Sequence, residues 1–182
     1  MLSCIGKKVI SFITMGAIFI GLLPTFTYAA SPIIEPVPIA NPGFEEVAES
    51  KPVGWSYWRS GDAVGMSVSE SVYNEGSKSL KLDIGVGKAV GVESTKFPLV
   101  AGDNYTVTTS VYVEDINASV SNAYVSIWVK YYDDNNVAVT PDKSVNLSSS
   151  EYTIGEWFDL PIKMVPPAGA TQGQIFIYVN RA

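Results

Sequence analysis

The chain has 182 residues, 12 basic and 18 acidic, for a net charge of −6, with one cysteine and no histidine. Its acidity argues against nucleic acid or an anionic membrane surface as a partner. The lone Cys4 excludes an internal disulfide framework, and the missing histidine excludes His-based acid/base chemistry and His/Cys zinc sites.

Residues 1–29 read as a secretory signal. Lys7 and Lys8 form a basic head, Val9 to Leu23 is an apolar run broken only by small or hydroxyl residues, and Thr27-Tyr28-Ala29 places small residues for cleavage before Ala30. The rival is an uncleaved membrane anchor, but a run of about 15 residues falls short of the roughly 20 that span a bilayer. Cleavage is therefore the expectation, with the chain secreted or held at the cell surface and touching membrane only through an uncleaved signal. Losing two lysines and no acid moves the net charge from −6 to −8. What remains is one ordinary domain, able to fold on a hydrophobic core.

Residues 30–40 form a proline-rich extended leader. Asn41-Pro42-Gly43 is a turn, Phe44 a core plug, and Pro52-Val53-Gly54-Trp55 a second turn ending in a packing ring. Strand patterns then recur. Met66–Val72 is followed by the turn Asn74-Glu75-Gly76. Ser79–Ile84 alternates with Leu80, Leu82 and Ile84 on one face, and Gly85 and Gly87 break it. Ala89–Ser94 is short, and Ala101-Gly102-Asp103-Asn104 turns into Tyr105–Glu114.

The most informative stretch is Ala123–Tyr132. Val125, Ile127, Val129 and Tyr131 fall on one face, and Ser126, Trp128, Lys130 and Tyr132 on the other. The second face is too aromatic for idle solvent exposure. Asp133-Asp134-Asn135-Asn136 reads as a hairpin turn rather than a metal loop. Trp157–Val165 turns Leu160, Ile162 and Met164 inward. Gln174–Asn180 buries Ile175, Ile177 and Val179, with Phe176, Tyr178 and Asn180 outward. With no helical pattern after residue 29, the class is an all-β sandwich or barrel.

The motifs Asn41-Pro42-Gly43-Phe44-Glu45, Pro52-Val53-Gly54-Trp55, Gly76-Ser77-Lys78-Ser79-Leu80-Lys81-Leu82, Ala101-Gly102-Asp103-Asn104-Tyr105-Thr106-Val107 and Val165-Pro166-Pro167-Ala168-Gly169-Ala170 carry a resemblance. In order and spacing, from about Ala40 to Asn180, they resemble the family 4 and family 9 carbohydrate-binding modules of the galactose-binding-like jelly roll superfamily. The resemblance implies a jelly-roll β-sandwich of two antiparallel sheets in residues 41–182. It further implies a polysaccharide or oligosaccharide as partner, and a place beside the catalytic domain of a secreted glycoside hydrolase or lyase. It also implies a structural calcium, with Glu45 as carboxylate ligand and backbone carbonyls of the Gly76–Lys78 region, at Ser77 and Lys78, supplying others. The family's last strand, which often completes that calcium site, has no counterpart before Ala182, so the sequence reads as a C-terminally truncated module.

A sugar ring presents a C–H face and a hydroxyl rim, which suit aromatic rings and polar groups respectively. The candidate carbohydrate-binding residues are Tyr112, Trp128, Lys130, Tyr132, Phe176 and Tyr178, with Trp58 from a loop. If Tyr112, Trp128 and Tyr178 lie on neighbouring strands, they form one platform. Trp128 either meets the ligand or lies at a rim under a loop, while Trp55 and Trp157 read as packing residues. Glu45-Glu46 does not qualify as a glycosidase pair, because adjacent strand residues point apart and such carboxyls face each other across about 5 to 9.5 Å. The expectation is thus a monomeric, non-catalytic binding module. The alternative is a structural or adhesive cell-surface sandwich that binds protein.

Overall fold

The computed structural model describes residues 2–8, 33–59, 65–83, 89–114, 124–148 and 151–180. Among them are fourteen strands: β1 (Leu2–Lys8), β2 (Ile33–Pro36), β3 (Val47–Ala48), β4 (Lys51–Pro52), β5 (Trp55–Arg59), β6 (Gly65–Ser69) and β7 (Ser79–Asp83), then β8 (Ala89–Ser94), β9 (Phe97–Pro98), β10 (Tyr105–Tyr112), β11 (Tyr124–Tyr132), β12 (Ala138–Ser148), β13 (Trp157–Met164) and β14 (Gln172–Asn180). There is no helix among the described residues. The larger sheet runs β12-β11-β14-β8-β5, with β9 also pairing β14, and the smaller runs β13-β10-β1-β2. The ribbons β3-β4 and β6-β7 complete an all-β sandwich in which every pairing is antiparallel.

The core follows from strand alternation. Ile127, Val129 and Tyr131 of β11, Ile175 and Ile177 of β14 and Val92 of β8 face Val107 of β10 and Ile162 and Met164 of β13. Leu80 and Leu82 of β7 pack against this cluster as their pattern requires. One end is closed by Phe44 and Trp55, whose ring centroids lie 5.0 Å apart. Asn41 fixes this closure. Its side-chain amide donates to the carbonyls of Glu46 and Val53, its Oδ1 accepts from Glu46 N–H, and its own carbonyl accepts the Trp55 indole N–H at 3.2 Å. Both rings therefore pack, as their turns suggest.

The turn at Asp133–Asn136 is a hairpin turn. Asp133 Oδ1 accepts from the amides of Asn135 and Val137, and Asn136 sits at φ 63°. It leads into β12, an eleven-residue strand that the sequence patterning does not reveal. The segment AVTPDKSVNLS is mostly polar and contains Pro141, which suits an edge strand and blunts it against intermolecular pairing. A bulge interrupts its pairing with β11 between Val129 and Tyr131. Leu2–Lys8, within the expected signal, pairs with β10 and β2 in the full chain. The expected cleavage point at Ala29, together with Ile84, Gly85 and Gly87, lies outside the described residues.

Candidate functional site

The outward face of the larger sheet gathers most of the candidate aromatic residues. Adjacent strands are in register, so residues directly opposite share a face. Trp128 lies opposite Phe176, Ser126 opposite Tyr178, Lys130 opposite Gln174 and Tyr124 opposite Asn180. The Phe176 and Tyr178 rings stack at 6.0 Å and 26°, and Tyr124 meets Tyr178 at 6.1 Å and 45°. Lys130 Nζ stands 4.3 Å above the Phe176 ring. The result is an aromatic strip along β11 and β14, half-buried and open on one side.

Gly91 of β8 shapes the floor of the strip. It pairs with Tyr178, and a Cβ there would come within 2.8 Å of Phe176 Cζ and 3.1 Å of the Ile177 carbonyl oxygen. The bare backbone lets the Phe176 ring lie down across β8. In register beyond Gly91 is Trp58 of β5, whose side chain is outside the described set.

Polar groups rim the strip. Asn146 of β12 accepts from Ser126 Oγ at 2.6 Å. Gln174 accepts the Tyr132 hydroxyl at 3.0 Å, and its amide donates to the Ser94 carbonyl at 2.9 Å. Tyr132 is itself capped, with Lys96 Nζ 3.4 Å above its ring and bonded to Asn136. Tyr132 therefore closes one end of the strip, and its ring is already engaged. Burial pushes the Tyr132 phenol upward, helped by Glu93 and Asp142, and burial does the same for Tyr178, helped by Tyr124. Both phenols stay protonated at neutral pH, and the Tyr132 O–H is spent on Gln174.

No protein-family model and no curated protein matches the chain. Among solved structures, the enzymatically active domain of bacteriophage CBA120 tailspike protein 4 matches over 71% of this chain and 18% of its own, at 17% identity and a TM-score of 0.57. The shared feature is the fold. This chain spans about a fifth of that tailspike's length. Lower-scoring matches include a family 16 carbohydrate binding module (19% identity, 62% of this chain and 72% of that one, TM-score 0.42). Another is the C-terminal family 22 carbohydrate binding module of Clostridium thermocellum Xyn10B (16% identity, 76% and 81%, TM-score 0.43).

The structure does not bring Tyr112 to the strip. Its strand β10 belongs to the smaller sheet, where Tyr112 pairs with Trp157 of β13, their rings 5.4 Å apart. Alternation correctly turned Tyr112 outward, but it carries no information about which sheet a strand joins. The expected trio is therefore replaced by Trp128, Phe176, Tyr178 and Tyr124. Tyr124 was not among the sequence candidates, although it shares the parity of Trp128 and Lys130 along β11.

The expected calcium ligands are arranged for a different task. Glu45 Oε1 accepts the amides of Ser77 and Lys78 at 2.9 and 3.1 Å, and Oε2 accepts the Ser77 hydroxyl at 2.7 Å. These hydrogen bonds, led by that from the Ser77 amide, hold the Glu45 carboxyl below its ordinary range, and the nearby Lys78 charge adds to the effect. Ser77 and Lys78 turn N–H and O–H donors toward Glu45, so both of its carboxylate oxygens already accept hydrogen bonds. These residues form a clasp tying the Phe44 turn to the β6–β7 turn. Gly76 sits at φ 73° with no room for a Cβ, which would lie 2.1 Å from Glu45 Oε1.

Proposed function

We propose that this chain binds polysaccharide without cleaving it, through the aromatic strip on the outward face of β11 and β14. The observation that carries the reading is the register of Trp128 opposite Phe176, continued by the stacked Tyr178 and by Tyr124. Such a run of rings on an open sheet face offers π-surface to the C–H faces of successive sugars. Lys130, Asn146 and Asn180 stand beside it for the hydroxyl rim.

In this reading the chain is a secreted module of a larger polysaccharide-degrading enzyme and acts by holding that enzyme at its substrate. The structural superfamily, the particular glycan and the monomeric state belong to the same proposal. Affinity electrophoresis through gels containing β-glucan, xylan or mannan tests it. Retardation by at least one polysaccharide supports the proposal. Unretarded migration in all three favours the alternative of an adhesive sandwich that binds protein.

A further inference from the structure

A second surface feature lies away from the aromatic strip. At the edge of the sandwich, where β12 of the larger sheet approaches β13 of the smaller, a cleft of about 840 Å3 opens. That is within the roughly 300–1,000 Å3 of small-ligand sites. Its accessible apolar lining comes from Pro141, Val165 and Pro167, above the buried Tyr131 and Met164, and its polar lining includes Asn104, Thr106 and Asp142. Lys143 and Lys163, on opposite sheets, complete it.

Two lysines from different sheets share this cleft. Among residues whose side chains are described, Lys78 and Lys81 pair with Glu70 and Glu114, Lys96 caps Tyr132, and Lys130 covers Phe176. Among the described residues the side chains of Lys51, Lys143 and Lys163 have no hydrogen-bond, ion-pair or ring partner, and of these Lys143 and Lys163 line this one cleft of an acidic protein. Two uncommitted ammonium groups against one carboxylate make the cleft locally cationic. Its lining has the mixed character of a sugar site, with apolar surface for a C–H face and amide, hydroxyl and carboxylate groups for hydroxyls.

We infer that the cleft is a second carbohydrate site, separate from the aromatic strip, for a sugar carrying a carboxylate: a uronate residue. Lys143 and Lys163 take the carboxylate, and Asn104, Thr106 and Asp142 take ring hydroxyls. Charge complementarity selects this occupant over a neutral sugar, and the mixed lining selects it over a bare organic anion. Exposed ammonium groups are screened by salt, so affinity falls as ionic strength rises.

The test is calorimetric titration of the purified chain with trigalacturonate, its methyl ester and tricarballylate. The expected result is binding of trigalacturonate that weakens at least tenfold on esterification, with tricarballylate weaker than trigalacturonate. In K143Q/K163Q that binding falls at least tenfold, while retardation by neutral polysaccharide is unchanged. In W128A it persists, so this inference and the strip reading fail independently. No binding of trigalacturonate, equal affinity in K143Q/K163Q, equal affinity for tricarballylate or loss of binding in W128A would each overturn the assignment.

Discussion

The ring of Phe176 lies across the bare backbone of Gly91, so close that a Cβ at Gly91 would stand 2.8 Å from its Cζ and 3.1 Å from the Ile177 carbonyl oxygen. A ring end can swing away, but a carbonyl within a paired strand cannot move far. Gly91→Ala should therefore lift Phe176 out of the strip and cost about 1–3 kcal/mol through overpacking. Denaturant unfolding reads the stability loss and gel retardation reads the binding loss. Unaltered retardation would show that the flat seat of Phe176 is irrelevant to binding.

Trp128 and Tyr112 make a paired test, because the sequence groups them and the fold separates them. Trp128→Ala should weaken polysaccharide retention about tenfold, roughly 1.4 kcal/mol, with the melting temperature nearly kept. Tyr112→Ala should leave retention intact and cost about 1 kcal/mol of stability through its lost contact with Trp157. The reverse pattern would move the site to the smaller sheet.

Ser94 extends the sheet with its side chain. Its Oγ donates to the Thr95 carbonyl at 2.8 Å and accepts the Ile175 amide at 3.0 Å, beyond the last β8–β14 pair at Glu93 and Phe176. Ser94 is only 2% exposed and Ile175 fully buried, so no water replaces the lost oxygen. Ser94→Ala should cost about 1–3 kcal/mol, the penalty of an unpaired buried amide. A loss below about 0.5 kcal/mol would mean that the amide finds another partner.

Glu45 gives the fold a pH dependence. Its carboxyl is held below the usual range by the Ser77 amide and hydroxyl and the Lys78 amide. A carboxyl with a lowered folded-state pKa stabilises fully above its unfolded pKa and loses that contribution as pH falls through the lowered value. The gap in melting temperature between the native chain and Glu45→Gln should be present at pH 7 and shrink as the solution is acidified below the ordinary carboxylate range. Adding a calcium chelator at pH 7 should leave the native melting temperature unchanged. A fall on chelation would mean that a cation sits at the clasp after all.

Much of this architecture is legible in period-two alternation. The strands around Ser79–Asp83, Tyr105–Tyr112, Tyr124–Tyr132, Trp157–Met164 and Gln172–Asn180 bury most of the residues that their patterns assign inward, while Val125 and Val179 stay half-buried and the outward-assigned Ser126 is covered. What alternation does not encode is partnership between strands far apart in sequence. That is why Tyr112 reads as a neighbour of Trp128 while standing on the other sheet. β12 escaped for a related reason: an edge strand buries few residues, so Pro141, Asp142 and Lys143 mask its weak pattern of Val139, Val145 and Leu147. The cleft beneath it was equally invisible, because its lysines are 20 residues apart in sequence and meet only through packing of the two sheets.

Neutral sugar chains should lie along the outward face of β11 and β14. This is tested most directly by titrating the isotope-labelled chain with xylohexaose, cellohexaose and mannohexaose while following backbone amide shifts. At least one should move amides of residues 124–132 and 174–180, together with those around Gly91, and leave residues 105–112 and 157–164 in place. Shifts confined to the smaller sheet, or none with any of the three, would rule out this face as the binding surface.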